Sequence, residues 1–323
     1  MGAKGLGSRA IIGEFYNALE AYLASDWIGQ LSMLFTSDQE SETYKWLGMT
    51  PALREWIGGR QAKGFRENGI TITNKSWEGT LEVLVDELRR DKTGQIMVRV
   101  GELARRAAEL DGKLLSTLIA NGTGSTSGLC YDGQYFFDSD HSEGESGTQT
   151  NLLTASEVTA LNVSNATAPT TQEMSAAILG VIAYMIGYKD DQGEPMNANA
   201  RNFLVMVPVA SLAVALSAVM ANLVTTSAGA AQDNPIKVAG QDGFKVSVVC
   251  NPRLSWTAAN FAVFRTDGQT KPFIRQEEEP LSVDAIAEGS EEEFKNNRHL
   301  YGVKRICNVG YGYWQYAAYA TLS

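Results

Sequence analysis

The sequence is poor in the residues that most often carry out chemistry. It contains three cysteines, Cys130, Cys250 and Cys307, and two histidines, His141 and His299. The cysteines are odd in number, far apart and without a CxxC pair, so neither a disulfide framework nor a zinc knuckle is indicated. We therefore expect reduced, partly buried thiols in a protein made in the cytosol.

Basic residues are also in short supply. Lysine and arginine number 27 against 37 aspartates and glutamates, which gives a formal net charge of -10. This balance argues against a protein that binds nucleic acid over its whole surface. It suits a protein that faces DNA without gripping it.

Long apolar runs are almost absent. No apolar run follows a basic start, so no signal peptide is expected. The most apolar stretch, FLVMVPVASLAVALSAVM from Phe203, is interrupted by Pro208. It predicts a buried strand that leads into a helix, not a membrane span. With 323 residues, of which 44% are apolar, the chain is long enough for one large domain or two modest ones.

The segment around His141 has the residue types of a metal or catalytic site but not their spacing. Its candidates are Asp138, Asp140, His141 and Glu143. In an extended chain Asp138 and Asp140 lie on one face and His141 on the other. We therefore expect a turn with local side-chain-to-backbone hydrogen bonds and no metal ion. Ser139 beside His141 does not indicate a triad, because sequence neighbours rarely have triad geometry.

Two glycine-containing loops likewise fail as ligand sites. The loop NGTGSTSG at 121–128 lacks the lysine of a phosphate cradle and follows a predicted helix instead of preceding one. The C-terminus of a helix carries partial negative charge, which disfavours an anion. The turn KDDQGEP at 189–195 lacks the alternating oxygen ligands of a calcium loop. We expect no catalytic residue and no cofactor.

Residues 44–60, YKWLGMTPALREWIGGR, are rich in side chains that suit contacts between proteins. The stretch holds two tryptophans, two arginines, a proline and three glycines. It is too irregular for one helix and has too many breakers for one strand. It has no cysteine, histidine or paired carboxylates, whereas Trp, Tyr and Arg are the residues that most often anchor interfaces.

The first ninety residues predict an arm and a ribbon. Up to about Ser41 a weak helical pattern indicates an arm with one or two helical turns. GITIT from Gly69 and TLEVLVDE from Thr80 predict two strands joined by the turn NKS, which we interpret as a hairpin. A two-stranded ribbon is marginally stable alone, so we expect it to lie against another element.

Two helices follow in the middle of the chain. An apolar stripe at three- and four-residue steps predicts one long helix from about Ile96 to Asn121, with ion pairs Glu102–Arg106 and Glu109–Lys113 on its polar side. LCYDGQYFFDSDH, at 129–141, is strand-like. A second helix is predicted from Thr171 to about Gly187, because Thr170 and Glu173 have capping-box spacing.

From Phe203 onward the pattern indicates an α+β domain. FLVMV predicts a buried strand and VASLAVALSAVMANL a helix, and FKVSVVC and FAVFRTD predict two further strands. The acidic runs EEEP and EGSEEE are interpreted as solvated loops. The final 24 residues, rich in tyrosine and punctuated by glycine, predict a closing strand with an aromatic face.

These parts indicate a subunit that interlocks with copies of itself. Arms and unsupported ribbons lose conformational entropy when ordered, and partners can compensate for that loss. Three stretches then carry a resemblance: YKWLGMTPALREWIGGR, YDGQYFFDSDH and YGVKRICNVGYGYWQYA. On these motifs the sequence resembles the Mu-like phage major head subunit family, whose members adopt the tailed-phage capsid fold of the Hong Kong 97 type.

The resemblance implies a division of the α+β chain into five parts. Residues 1–45 would form an N-terminal arm, 46–95 the arm-to-ribbon junction and the extended E-loop, and 96–202 a P-domain with a long spine helix. Residues 203–298 would form an A-domain, and 299–323 a C-terminal strand that returns to the P-domain.

The resemblance also implies a function. The chain would be a non-catalytic major capsid protein that assembles in the bacterial cytoplasm into hexamers and pentamers of an icosahedral virion shell. Its partners would be other copies of itself, a scaffolding protein, a portal, in some members a decoration protein, and packaged double-stranded DNA bound without sequence specificity; no membrane is involved. The alternatives are an encapsulin-like shell protein of the same fold, or a soluble hydrolase whose site is assembled from distant residues.

Five aromatic and arginine residues are the candidates for contacts between subunits. They are Trp46, Arg54, Trp56, Arg60 and, on the predicted ribbon, Trp77. The alternative is that the tryptophans of the 44–60 stretch pack only within their own subunit.

We predict that Arg54→Ala combined with Arg60→Ala lowers the yield of assembled particles while the subunit still folds. Truncating an interface arginine removes charge-assisted contacts to the neighbouring subunit without removing core packing. Sedimentation gives the yield and circular dichroism the folding. A folded double variant with an unchanged yield would contradict an interface role for the two arginines.

Overall fold

The computed structural model describes residues 7–22, 26–45, 69–91, 94–225 and 229–323. The helices are α1 (Ser8–Tyr22), α2 (Asp26–Leu31), α3 (Val85–Arg90), α4 (Gln95–Ala108), α5 (Leu110–Ala120), α6 (Thr171–Ile186), α7 (Leu212–Met220), α8 (Pro235–Gln241) and α9 (Glu291–Asn296). Short 3-10 turns lie at Ser125–Ser127, Thr159–Leu161, Val209–Ser211 and Trp314–Tyr316.

The strands form two larger sheets and three small pairs. They are β1 (Ser32–Thr36), β2 (Ser41–Tyr44), β3 (Ile70–Thr73), β4 (Lys75–Leu84), β5 (His141–Ser142), β6 (Thr148–Gln149), β7 (Leu152–Leu153), β8 (Asn202–Val207), β9 (Leu223–Thr225), β10 (Ala231–Asp233), β11 (Lys245–Cys250), β12 (Asn260–Arg265), β13 (Phe273–Ile286), β14 (Arg298–Tyr311) and β15 (Ala317–Thr321). The small pairs are β2 with β3, β5 with β6, and β9 with β10.

A four-stranded sheet with the order β1-β13-β14-β4 forms one half of the framework. Its centre is the antiparallel pair of β13 and β14, each 14 residues long. Strand β4 runs antiparallel to β14, and β1 runs parallel to β13. The sheet is therefore a long, narrow ribbon with α9 at the turn between its two central strands.

Helices α1 and α4 cover one face of this ribbon. The apolar face of α1 buries Ile11, Phe15 and Leu19, and these residues share a core cluster with Val100 of α4 and Val303 of β14. The prediction of one or two helical turns in the arm is wrong, because α1 has 15 residues. Packing against α4 stabilises a helix that the weak sequence pattern alone would leave marginal.

The long helix predicted for 96–121 is present as two helices in near-continuous succession. The break lies at Glu109, whose amide still donates to the Arg105 carbonyl at 3.0 Å. The predicted ion pairs are wrong: Arg105 binds both Glu102, at 2.8 Å, and Glu109, at 2.5 Å. Glu109 also binds Arg253 at 2.9 Å, which ties this rod to the segment after β11.

A five-stranded sheet with the order β11-β8-β12-β15-β7 forms the other half. Strand β8 lies in its interior, and five of its six residues are buried, as FLVMV predicts. The predicted helix after β8 and the two predicted strands after it are confirmed as α7, β11 and β12. Helix α6 packs against α7 and against strands of this sheet.

Helix α6 begins with the predicted capping box. The Thr170 hydroxyl accepts from the Glu173 amide at 3.2 Å, and the Glu173 carboxylate accepts from the Thr170 amide at 2.8 Å. Burial opposes ionisation of Glu173, but hydrogen bonds from Thr170 and Ser164 outweigh it and lower the pKa of Glu173 to about 2. The carboxylate thus stays charged at the positive end of the helix dipole.

The predicted hairpin between Gly69 and Asp86 is wrong. Both strands exist, but β3 pairs with β2, and β4 pairs with β14. The two segments run close in sequence but belong to different sheets, because each finds a longer or better-matched partner elsewhere. Strand β3 instead closes, with β2, the base of the segment 46–68.

Three further expectations need correction. Residues 129–140 form turns, not a strand, because Tyr131, Phe136 and Phe137 are buried by packing among aromatic rings instead of by a sheet ladder. The run EEEP lies within β13 and not in a loop. The final residues form two strands, since β14 belongs to the four-stranded sheet and β15 to the five-stranded sheet.

A partly buried ion network fixes α5 to the four-stranded sheet. The Asp111 carboxylate binds Arg275 of β13 at 2.8 Å and Arg305 of β14 at 2.7 Å. Arg305 also binds Glu277 at 2.7 Å, and Arg275 donates to the Ser32 hydroxyl at 2.8 Å. One carboxylate on the helix thus holds two guanidinium groups on neighbouring strands.

We predict that Asp111→Asn lowers the free energy of unfolding by about 3 kcal/mol, because it leaves two largely buried guanidinium groups without their shared counter-ion. Urea unfolding at neutral pH measures the change. The matched control is Glu279→Gln, which removes an ion pair to Lys304 at 2.7 Å on the exposed side of the same sheet. That variant should lose no more than about 1 kcal/mol, and an equal loss in both variants would contradict the role assigned to the network.

Candidate functional site

Four of the five predicted contact residues, Trp46, Arg54, Trp56 and Arg60, lie outside the described residues. The structure does describe the two ends of that segment. Strands β2 and β3 pair antiparallel, with Tyr44 opposite Ile70. The segment 46–68 therefore leaves from and returns to one point on the molecule.

Tyr44 anchors this point to the four-stranded sheet. Its hydroxyl donates to Gln276 at 2.8 Å, and the Gln276 amide donates to the Ile72 carbonyl at 3.1 Å. Burial, and after it the charge of Glu42, raises the pKa of Tyr44 to about 12. The base of the segment is thus held by hydrogen bonds between neutral groups.

Trp77 is the predicted contact residue that the structure describes. It lies on β4, is half-buried, and its indole N–H donates to the Cys307 carbonyl at 3.1 Å. The neighbouring strand therefore fixes one edge of the ring. The rest of the ring lines a cavity of about 450 Å³ between β4 and α4.

The acidic segment before His141 forms the predicted local hydrogen bonds. The Asp138 carboxylate accepts from the Tyr135 amide at 3.1 Å and from the Ser139 amide at 2.8 Å. A hydrogen bond with Asp138 is the main reason that the pKa of Asp140 is raised. In the described ranges no three His, Cys, Asp or Glu side chains come together as a metal site.

His141 turns away from that segment and into the core. Its Nδ1 lies 2.6 Å from Asp132 Oδ2, and its Nε2 lies 3.2 Å from Asn151 Oδ1. The ring stacks on Trp314 with centroids 4.0 Å apart. Both His141 and Asp132 have side chains almost wholly removed from solvent, at 0% and 1% exposure. No substrate can reach this pair, so it serves as a brace and not as a general base.

The second and third sequence motifs therefore meet, although about 170 residues of chain separate them. Tyr131 and Gln315 exchange hydrogen bonds at 2.9 and 2.7 Å. The Phe136 ring stacks on Tyr311 with centroids 4.7 Å apart. The Tyr311 hydroxyl donates to the Leu118 carbonyl at 2.9 Å, which joins the cluster to α5. Burial raises the pKa of Tyr131 well above its ordinary value, so its hydroxyl stays a donor.

Two buried asparagines complete this motif core. Asn151 donates to the Phe136 carbonyl at 2.8 Å, and Asn197 donates to the carbonyls of Met185 and Gln315 at 2.8 and 2.7 Å. These amides satisfy carbonyls at the end of α6 and in the turns around it that no strand ladder reaches. Sequence reasoning missed both, because a single buried asparagine leaves no periodic signal.

The three thiols are free. Cys130 and Cys307 are buried and Cys250 is half-buried. Burial raises the pKa of Cys307 to about 11 and that of Cys130 well above its ordinary value. Because the thiolate is the reactive form, neither buried cysteine is suited to nucleophilic chemistry. Among the described helices none is both long and apolar enough to cross a bilayer.

We predict that His141→Ala lowers the free energy of unfolding by about 4 kcal/mol. The substitution removes the stacking on Trp314 and leaves the Asp132 carboxylate buried without its partner. The control is Tyr135→Ala, an aromatic residue of the same segment that is 39% exposed, which should lose about 1 kcal/mol or less. Chemical unfolding followed by tryptophan fluorescence compares them. Equal losses of unfolding free energy would mean that the contact between His141 and Asp132 stabilises the core no more than an exposed side chain does.

Comparison with known proteins follows the same motifs. The family model described as Mu-like prophage major head subunit gpT matches residues 8–170 and 231–322. The chain is 35% identical over 130 residues to the Mu-like prophage FluMu major head subunit of Haemophilus influenzae and 34% identical over 128 residues to the major capsid protein of Escherichia phage Mu. These alignments cover 40% of this chain and 41% and 40% of the two relatives, so they span about two fifths of each relative's length.

Solved structures with a similar fold are also shell proteins. The procapsid protein of bacteriophage JBD30 gives a TM-score of 0.55 at 24% identity, covering 98% of this chain and 75% of that one. The mature capsid protein of bacteriophage PhiM1 gives 0.55 at 10% identity, with 92% and 86% covered. A virus-like particle from Pyrococcus furiosus gives 0.51 at 8% identity, with 97% and 98% covered.

These likenesses confirm the predicted α+β phage capsid fold. The family match covers most of the chain, including both halves of the framework and the two motifs that meet in the core. The chain belongs to the family of Mu-like prophage major head subunits.

Proposed function

We propose that this chain is a non-catalytic structural subunit that assembles with copies of itself into the icosahedral shell of a phage head. The observation that carries the proposal is the family match, which includes strands of both larger sheets. The fold supports it too, since the likeness to a phage procapsid protein extends over 98% of the chain. Assembly would take place in the bacterial cytoplasm, and the mature product would be the virion capsid.

The shell would consist of hexamers and pentamers around double-stranded DNA. A net charge of -10 supports an inner face that does not bind DNA tightly, so packaged DNA can slide during filling. A scaffolding protein, a portal and, in the finished head, a decoration protein are the proposed further partners. Contacts between neighbouring subunits would include Trp77 and the 44–60 stretch.

We retain the five-part division of the chain as part of this proposal, with roles taken from the fold. Helix α4 and helix α5 suit the spine helix of the P-domain, and the five-stranded sheet suits the core of the A-domain. Strands β2 and β3 suit the base of the E-loop, with the segment 46–68 between them. Two strands cross the proposed boundaries: β13 lies inside 203–298 but pairs with β14, and β15 lies inside 299–323 but belongs to the five-stranded sheet.

A second candidate is a protein-filled shell of the same fold, as in encapsulin-like proteins. The likeness to a virus-like particle from Pyrococcus furiosus, which extends over 97% of this chain, favours keeping it. The two candidates differ in cargo and not in architecture.

We predict that the purified chain forms rings, tubes or closed shells at high concentration or with its scaffolding partner. Capsid interfaces are large and repeat around each subunit, so assembly should be steeply dependent on concentration. Sedimentation velocity and negative-stain electron microscopy measure it. A chain that stays monomeric at every concentration and salt tested, with and without the scaffold, would contradict the proposal.

Particles isolated from the host distinguish the two candidates by their content. Nuclease-protected double-stranded DNA supports the phage head, and a single co-purifying protein without DNA supports the encapsulin-like shell.

A further inference from the structure

The turn between β13 and β14 displays a phenylalanine that the described part of its own subunit leaves uncovered. Phe294, on α9, is 91% exposed, which is the largest exposure among the described large hydrophobic residues. We name residues 288–297 the tip. The exposed ring leaves apolar surface in water, and burial against a partner would remove that surface from water.

The tip is held firmly by its own polar groups. Ser290 caps α9 by accepting from the Glu293 amide at 3.2 Å, and the Glu293 carboxylate accepts from the Gly289 amide at 2.6 Å. Glu292 accepts from Asn296 at 2.7 Å and from Arg298 at 2.9 Å. These bonds order the backbone around Phe294 before any partner arrives, which lowers the entropy lost on binding.

A backbone bond also joins the tip to the body of the sheet. Asn297 has a left-handed backbone with φ of 50°, and its carbonyl accepts from the Val85 amide at 3.0 Å. The tip therefore does not swing freely on its strands.

The tip is also strongly acidic. It contains four glutamates and one lysine. Lys295 pairs with Glu291 inside the tip and Glu292 binds Arg298 at its edge, so the tip keeps a net negative charge. A partner surface for the tip should therefore be apolar at its centre and basic at its rim.

A surface of that kind lies midway along the same sheet, where it is lined by residues of β4, β13 and β14. The cavity beside Trp77 has a volume of about 450 Å³, and we name it the groove. Its apolar lining consists of Trp77, Leu103, Ala107, Leu110, Leu281 and Val303. Pockets that bury apolar groups commonly have volumes of about 300–1,000 Å³, so an aromatic side chain fits.

Basic side chains line the rim of the groove. Arg106 and Lys113, both exposed, line it and make no ion pair within the described part of the chain. Arg253 lines it as well, on the side of Glu109, to which it is bound. With Arg305, four basic side chains line the groove against the acidic side chains of Glu78 and Glu109, which gives it a net positive charge that matches the acidic tip.

The tip of a subunit cannot enter its own groove. Arg305 lies opposite Trp77 in the sheet, whereas Arg298 adjoins the tip. Val303, the groove-lining residue of β14 nearest the tip, is five residues from Arg298, which is about 17 Å at about 3.4 Å per residue in a regular strand. The occupant of the groove must come from a second copy.

We propose that Phe294 and its acidic tip insert into the basic-rimmed groove of a neighbouring copy of this chain. The two surfaces differ, so the contact is head-to-tail, and a head-to-tail contact repeated by rotation closes into a ring. The inference rests on the proposed function, since it requires that copies assemble. It identifies the two surfaces that meet and explains why the contact is head-to-tail.

The experiment compares variants of the full chain by sedimentation velocity and negative-stain electron microscopy. Phe294→Ser removes the anchor, and Arg106→Glu with Lys113→Glu reverses the rim. Each should raise the subunit concentration needed for assembly by about tenfold or more. The matched control is Val98→Ser, which removes another exposed apolar side chain, 67% exposed on α4, and should assemble at the wild-type concentration.

A charge exchange tests that the tip meets this groove and no other surface. Glu291→Lys, at an exposed position of the tip, should impair assembly in the wild-type background and partly restore it when combined with the reversed rim. Circular dichroism checks that each variant is folded, and Phe294→Ala provides a second tip variant.

Several outcomes overturn the proposal. The proposal is wrong if a folded Phe294→Ser variant, or a folded variant with the reversed rim, assembles at the wild-type concentration. It is also wrong if Val98→Ser impairs assembly as strongly as these variants do. If the tip variant and the reversed-rim variant both fail to assemble, and combining the reversed charges does not restore assembly, the tip does not bind this groove. A wild-type chain that never assembles contradicts the proposed function instead, so the two failures are distinguishable.

Discussion

The antiparallel ladder between β13 and β14 is the constraint on which the rest of the structure depends. Its two strands of 14 residues run from the motif core to the exposed tip at 288–297. At the inner end the ladder sets Tyr311 against Phe136, and midway its arginines hold Asp111 of α5. At the outer end it carries Phe294 into solvent. The ladder therefore joins the tip, the rod helix and the motif core through one continuous pair of strands.

The motif core explains why two distant sequence motifs occur together in this chain. A loop-rich region between two sheets has few ladder bonds, so its carbonyls and rings need specific partners. His141 between Asp132 and Trp314, and the exchange between Tyr131 and Gln315, supply them. Such a network is satisfied in one arrangement only, and this fixes the relative placement of the rod helix and the chain end. The residues resemble a catalytic set in type but are closed to solvent.

Local signals predicted the parts of the fold that local energetics control. The capping box at Thr170, the buried strand from Phe203 and the break-up of the apolar run at Pro208 all appear as expected. Predictions failed where the choice was between partners. The strands after Gly69 and Thr80 have adequate patterns, but pairing in a sheet depends on which partner offers the longer matched edge, and no window of sequence contains that comparison. Ion pairs on α4 failed for a similar reason: Arg105 reaches carboxylates on both sides, and rotamers and neighbours decide which it takes.

The sequence by itself determined the class of the protein: its composition excluded a disulfide scaffold and a broadly nucleic-acid-binding surface, and its ordered motifs indicated a phage head subunit. Composition is a sum over residues and a motif is a run of adjacent residues, so both can be read from the sequence without coordinates. Only the tertiary structure decided that His141 packs between Asp132 and Trp314 in the core, that β3 and β4 pair with strands of different sheets, and that a basic groove lies midway along the sheet whose end carries the acidic tip. Those facts depend on distances between residues far apart in the chain, which folding sets and which sequence order does not contain.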